Sequence, residues 1–206
     1  MLAQRVQFLT GYQNAAYAAE YQAFVEKVRA AESRLGTKTP LTEAVARYLF
    51  KLMAYKDEYE VARLYLLPES RRRAALVGGH RTRVTYHLHP PVLRALGLRR
   101  KLAIRTGART MFRVLRLMRP LRGTLLDPFA YARLRRLERE MVVDYELAIS
   151  RLVDRLATGS RSAADVDEAV AIASLPDRVR GYEHLKLERA LAFRDELTRR
   201  IDAFAG

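Results

Sequence analysis

The sequence predicts an all-α fold: a bundle of long helices with an irregular basic middle segment and at most a small strand or hairpin. Three observations point there. Apolar residues recur in steps of three and four along most of the chain, the spacing of one helical face. The ends of those stretches carry helix punctuation, as in Thr39-Pro40 and Asp127-Pro128. Only one stretch, Val84 to His89, alternates as a strand would. With 206 residues, half of them hydrophobic, the chain can bury a sizeable core. It reads as a single helical domain over 1–206, with a helical pair over 1–67, a basic irregular segment over 68–126 and helices again over 127–206.

Each element has its own warrant. Leu2 to Ser33 reads as one helix, with Val6, Leu9, Gln13, Ala16, Tyr17, Phe24, Val25 and Val28 on a stripe. Gly11 weakens its first part by about 1 kcal/mol relative to alanine, so a bend or a break is expected there. Arg34 to Thr39 is a short connection, which favours an antiparallel pair. Leu41 to Tyr65 then reads as a second long helix. Leu41, Val45, Leu49, Leu52, Tyr55, Tyr59 and Ala62 form its apolar face. Thr39 is placed to cap it, Pro40 suits its first turn, and Glu43 precedes Arg47 by four residues, the favourable order for an ion pair. Gly78-Gly79 and Pro90-Pro91 break the chain on either side of the strand-like stretch.

Val92 to Leu96 reads as a short helix, and Thr106 or Gly107 to Met118 as a basic helix with Met111, Phe112, Leu115 and Met118 inward. Asp127 is expected to cap a long helix whose apolar face is Leu137, Met141, Tyr145, Ala148, Leu152 and Leu156. Ser160 or Ser162 opens another, Leu175-Pro176 interrupts, and roughly Tyr182 to Phe204 closes the chain.

Composition excludes several chemistries. There is no cysteine, so disulfides, thiolate zinc sites, cluster ligation and cysteine nucleophiles are all absent from this sequence. No apolar run approaches the roughly 20 residues of a membrane span, and the first ten residues have no signal-peptide core. The expected location is cytoplasmic. The net charge is +15, carried by 38 basic residues, of which six are lysine. Glu69 to Arg139 holds 19 basic and three acidic residues, so the whole excess sits in the middle third. Such a field attracts an anionic partner.

Two groups of residues stand out. Lys51, Tyr55, Lys56, Asp57, Glu58 and Glu60 crowd charge around two aromatics, more than a plain core helix needs. They form a candidate polar network. Arg71, Arg72, Arg73, Arg99, Arg100, Lys101, Arg133, Arg135 and Arg136 form a candidate anion-binding or docking surface; the simpler reading is a solvated or domain-contacting face. His87 and His89 have strand spacing for two ligands on one face, but with only His80 and His184 elsewhere two partly exposed histidines are the favoured reading. Gly78-Gly79 lacks the spacing of a phosphate loop. No catalytic or metal site is assigned.

Several segments resemble, in order, the C-terminal region of the fused bacterial indolepyruvate ferredoxin oxidoreductase family. They are YQNAAYAAEYQAFVEKV (Tyr12 to Val28), LTEAVARYLFKLMAYKDEYEVARLY (Leu41 to Tyr65), HLHPPVL (His87 to Leu93), RGTLLDPFAYARLRRLEREMVVDYE (Arg122 to Glu146) and LPDRVRGYEHLKLERA (Leu175 to Ala190). The likeness covers nearly the whole chain and is weakest over Arg94 to Leu121. It implies an enzyme that oxidatively decarboxylates aryl-pyruvates to aryl-acetyl-coenzyme A with thiamine diphosphate, magnesium, 4Fe-4S clusters and ferredoxin. This chain has neither a Gly-Asp-Gly magnesium motif nor cysteine thiolates. The resemblance therefore implies a non-catalytic accessory domain whose partners are the catalytic domains of the same enzyme, with acidic ferredoxin or coenzyme A as further candidates. The rivals are a basic nucleic-acid-binding module, which lacks a recognisable reader motif, and a helical scaffold that forms a homodimer.

Overall fold

A computed structural model describes residues 1–34, 36, 38–78, 85–88, 102–104, 107–158, 163–181 and 183–205. The helices are α1 (Leu2–Tyr12), α2 (Ala15–Glu32), α3 (Pro40–Met53), α4 (Glu58–Leu66), α5 (Pro68–Gly78), α6 (Ala108–Leu117), α7 (Arg133–Thr158), α8 (Ala163–Ala173) and α9 (Glu183–Ala205). Two three-residue strands, β1 (Tyr86–Leu88) and β2 (Leu102–Ile104), pair antiparallel with His87 opposite Ala103. The fold is all-α with one small hairpin-like ribbon, as the sequence predicts. Among the described residues no helix is long and apolar enough to cross a membrane. The short helix expected at Val92 to Leu96 and the helix start expected at Ser160 or Ser162 lie outside the described residues. The chain divides into two compact units, Met1–Ala54 with Arg136–Gly206, and Tyr55–Arg135.

In the first unit α1, α2, α3, α8, α9 and most of α7 enclose one core. Leu9, Tyr21, Val25, Leu41, Val45, Leu49, Met53, Tyr145, Ile149, Leu152 and Ile172 are all buried there. Each such side chain contributes roughly 1.5–3 kcal/mol on leaving water. The buried tyrosines have hydrogen-bond acceptors: Tyr21 Oη donates to the Ala46 carbonyl at 2.7 Å and Tyr145 Oη to the Ala173 carbonyl at 2.7 Å. These bonds place tyrosines against helix carbonyls, where a buried hydroxyl has to find an acceptor.

Helix ends differ from the sequence expectations in four places, each for a local reason. The helix expected over Leu2 to Ser33 breaks at Gln13, not at Gly11, because Asn14 adopts an extended backbone and its side chain accepts the Tyr17 amide at 2.8 Å. Thr39 does not cap α3 with its side chain. Buried Glu32 takes that role across the connection: its carboxylate accepts the amides of Leu41 and Thr42, both at 2.8 Å, and the Thr42 hydroxyl. A full negative charge suits a helix N-terminus better than a hydroxyl does.

The helix expected over Leu41 to Tyr65 is two helices. Ala54 leaves the helical region at φ −101° and ψ 52°, and Asp57, with extended backbone, caps α4 by accepting the Glu60 amide at 2.8 Å. Periodicity misses the break because Tyr55, within it, and Tyr59, just after it, are both buried. Finally, Asp127 does not cap the long helix, which starts at Arg133. Within α3, Arg47 lies over the Tyr48 ring at 5.4 Å.

The second unit holds α4, α5, the strands, α6 and the loop to the start of α7. Ala62 of α4 packs against Ala108 and Phe112 of α6, with Leu66, Met111 and Leu115 around them, and the Tyr65 and Phe112 rings stack at 5.2 Å. The expected basic segment, 68–126, lies within this unit.

Candidate functional site

The charge cluster Lys56 to Glu60 sits where α4 begins, and α4 brings it against a loop 65 positions later. After a 3₁₀ turn at Arg119–Leu121, Arg122 and Gly123 occupy the middle of a turn closed by the Thr124 amide on the Leu121 carbonyl at 2.9 Å. Arg122 has φ −50° and ψ 122°, and Gly123 has φ 76°. This is a type II turn, whose third position favours glycine. The turn aims the Arg122 guanidinium at Asp57. Arg122 Nη2 donates to Asp57 Oδ1 at 2.9 Å while Nε donates to Oδ2, a two-pronged contact with both side chains buried.

A second carboxylate closes the loop. Asp127 accepts the Gly123 amide at 2.8 Å, the Phe129 amide at 3.0 Å and the Tyr59 hydroxyl at 2.9 Å. Tyr59 is thereby fixed on three sides. Its hydroxyl is on Asp127, its ring meets Phe129 edge-on at 5.2 Å, and the Arg122 guanidinium lies 5.5 Å from its centroid. Burial, followed by the Asp127 contact, pushes the Tyr59 hydroxyl well above the usual tyrosine range. It stays protonated at neutral pH and serves as a donor.

The remaining members flank this pair. Glu60, buried, receives Arg63 Nε and Nη2 at 2.7 and 2.8 Å. Arg135 lies over the Tyr55 ring at 5.6 Å, donates to the Lys56 carbonyl at 3.2 Å and sits 3.6 Å from Glu58 Oε2. Burial raises the Glu58 carboxyl, and Arg135 opposes that shift. Asp57, Glu60 and Asp127 are held by donors of this chain. The use of these three is cohesion; Glu58 differs, its buried Oε2 facing Arg135 at 3.6 Å without accepting a hydrogen bond.

The sequence-predicted residues are thus divided. Tyr55, Asp57, Glu58 and Glu60 belong to one network, and Lys56 joins through its carbonyl. Lys51 lies in the first unit, where its ammonium donates to the carbonyls of Pro176 and Asp177 at 2.8 and 3.1 Å. Burial lowers its pKa, partly offset by Asp177. Of the basic set, Arg72, Arg73, Arg133 and Arg136 are exposed. Arg135 is turned inward, its side chain 11% exposed. Arg71 lies on α5, Arg99, Arg100 and Lys101 lie outside the described residues, and so does His89.

Sequence reasoning missed Arg122, Arg63 and the structural use of Asp127. The signal for Arg122 and Asp127 was the segment RGTLLDPF, whose glycine and Asp-Pro mark tight turns, but nothing in it names a partner near position 57.

A family model described as "Family of unknown function (DUF6537)" matches residues 1–199. No curated protein matches the chain. No solved structure matches it.

Proposed function

The chain belongs to that family, and we propose that it is the C-terminal accessory domain of a thiamine-diphosphate- and ferredoxin-dependent oxidoreductase of indolepyruvate and related aryl-pyruvates. In this reading it is non-catalytic alone and has a structural or docking role toward the catalytic domains in the cytoplasm. Support comes from the ordered segments quoted above. The observation that carries the structural role is the meeting of two of those segments: Asp57 and Tyr59 of KDEYE bond Arg122 and Asp127 of RGTLLDPF. Residues that make the resemblance are spent on holding the chain together.

Thiamine diphosphate, magnesium, 4Fe-4S clusters and coenzyme A belong, in this reading, to the rest of the enzyme. The donor set here does not fit a cluster, since the chain has no cysteine. The test mixes the purified chain with thiamine diphosphate, magnesium, indolepyruvate, coenzyme A and a dye acceptor. Dye reduction at the blank rate is expected, and turnover above it sinks the non-catalytic claim. Adding the chain to a catalytic polypeptide lacking this region is expected to raise its thermal stability or turnover. No change in either sinks the accessory role.

The rival reading, a basic nucleic-acid-binding module, rests on the composition of Tyr55–Arg135, with 19 basic residues against five acidic ones. A mobility shift separates the two. Duplex binding that persists near 0.2 M salt favours the rival, because nonspecific phosphate contacts fade steeply with salt.

A further inference from the structure

The network leaves the second unit with an unbalanced surface. Of its five acidic residues, Asp57, Glu58, Glu60 and Asp127 are turned into the network and only Glu69 is exposed. The cations are not consumed to match. On α6, Arg109, Arg113 and Arg116 recur at four and three residues and so share one face. All three are exposed, and among the described residues none of the three side chains has an ion pair or hydrogen bond. Like charges at these spacings oppose the helix, so the row works against the element that bears it. Leu117, four residues after Arg113, lies beside the row and is 79% exposed, and Val114 is 51% exposed.

We propose that this outer face of α6 is a docking surface for an acidic protein, with Arg109, Arg113 and Arg116 as its charged contacts and Leu117 as its apolar anchor. Charge complementarity selects an acidic partner. The apolar edge selects protein over nucleic acid, since leucine and valine offer a phosphate backbone nothing and the outer face of α6 itself carries no aromatic ring for a base to stack on: Phe112 is buried beneath the half-exposed Tyr65 of α4. A lipid surface is disfavoured by the same packing. An interfacial helix sinks its broad apolar face into the headgroups, whereas that face of α6 is already covered by Ala62 and Leu66. Arginines around a small apolar spot are the composition of a protein interface.

The proposal rests on the accessory-domain reading only for one of its probes. Four probes are titrated against the whole chain in 0.1 M salt: a catalytic polypeptide of an indolepyruvate ferredoxin oxidoreductase lacking this region, poly-L-glutamate, a mixed-sequence DNA duplex, and vesicles of phosphatidylglycerol with phosphatidylcholine. Variants are Arg109→Gln/Arg113→Gln/Arg116→Gln and Leu117→Asp, each checked for native helix content and melting. The expected result is binding to the catalytic polypeptide that weakens about tenfold or more without the three arginines, the scale of several exposed charge pairs. Leu117→Asp is expected to weaken it several-fold as well. Folded variants that bind that polypeptide as the unmodified chain does overturn the surface. If the unmodified chain ignores the polypeptide but binds poly-L-glutamate through the three arginines, the accessory reading fails and the surface stands. Binding to neither the catalytic polypeptide nor poly-L-glutamate overturns the surface, as does arginine-dependent binding to DNA or vesicles that is tighter than to both.

Discussion

Arg122 and Asp57 lie 65 positions apart and face each other through two N–H···O contacts, one to each carboxylate oxygen, with each side chain no more than 4% exposed. A buried ion pair is weak evidence of net stability, because desolvating both charges offsets much of their attraction. Breaking it is another matter. Arg122→Ala leaves the Asp57 carboxylate desolvated and served only by the Glu60 amide, and is expected to destabilise the chain by about 3–5 kcal/mol. Arg122→Lys recovers the charge but not the fork, so it falls between. Urea unfolding at unchanged slope measures both; a loss under about 1 kcal/mol for the alanine variant means Asp57 finds other donors.

Gly123 sets the direction of that guanidinium. Its φ of 76° is a conformation that side chains with a Cβ resist. Gly123→Ala is expected to cost about 1 kcal/mol or somewhat more. Crossing it with Arg122→Ala distinguishes two effects. If the turn matters by aiming Arg122, the double variant is less destabilised than the sum of the singles. Plain additivity would show the turn to be independent of the ion pair.

The start of α3 offers a paired test of who caps it. Glu32→Ala removes an acceptor that serves two amides and a hydroxyl, and is expected to cost about 2 kcal/mol. Thr39→Ala, at the residue that sequence reasoning favoured, is expected to change stability by less than about 0.5 kcal/mol. Thermal melts of the two suffice, and the opposite ranking refutes the assignment.

Glu58 gives a pH signature. Burial holds its folded pKa above the unfolded value near 4.5, so between those two values the folded state binds more protons than the unfolded one. Stability from this group therefore rises as pH falls from neutral through its folded pKa, and is fully present below the unfolded pKa. Glu58→Gln removes that dependence. The unmodified chain should gain stability relative to the variant as pH is lowered from 7 toward 4, and a relative loss over that range contradicts the burial of the charge. Arg135, at 3.6 Å, limits the size of the gain.

How much was legible from sequence follows from what each signal measures. Period and punctuation report local preference. They located α6 and α9 well, together with the end of α2 and the start of α3, and they marked the 3₁₀ turn at Leu175–Arg178 through Leu175-Pro176. They failed where a local rule had a competitor. Thr39 was outbid as a cap by Glu32, seven residues upstream, and Asp57 turned a continuous apolar stripe into two helices. The KDEYE cluster was recognised as anomalous, but half of its explanation lies at Arg122 and Asp127.

The sequence by itself determined the all-α class, the helical faces, the absence of cysteine chemistry and the confinement of the net positive charge to the middle third. These follow from residue types and spacings alone. Only the tertiary structure decided which charges are buried against which. Asp57, Glu60 and Asp127 became internal acceptors and Arg135 turned inward, while Arg109, Arg113 and Arg116 stayed in solvent. That partition depends on loop closure between distant segments, where a type II turn at Gly123 brings a guanidinium to a carboxylate. Long-range pairing of this kind leaves no periodic trace in the chain.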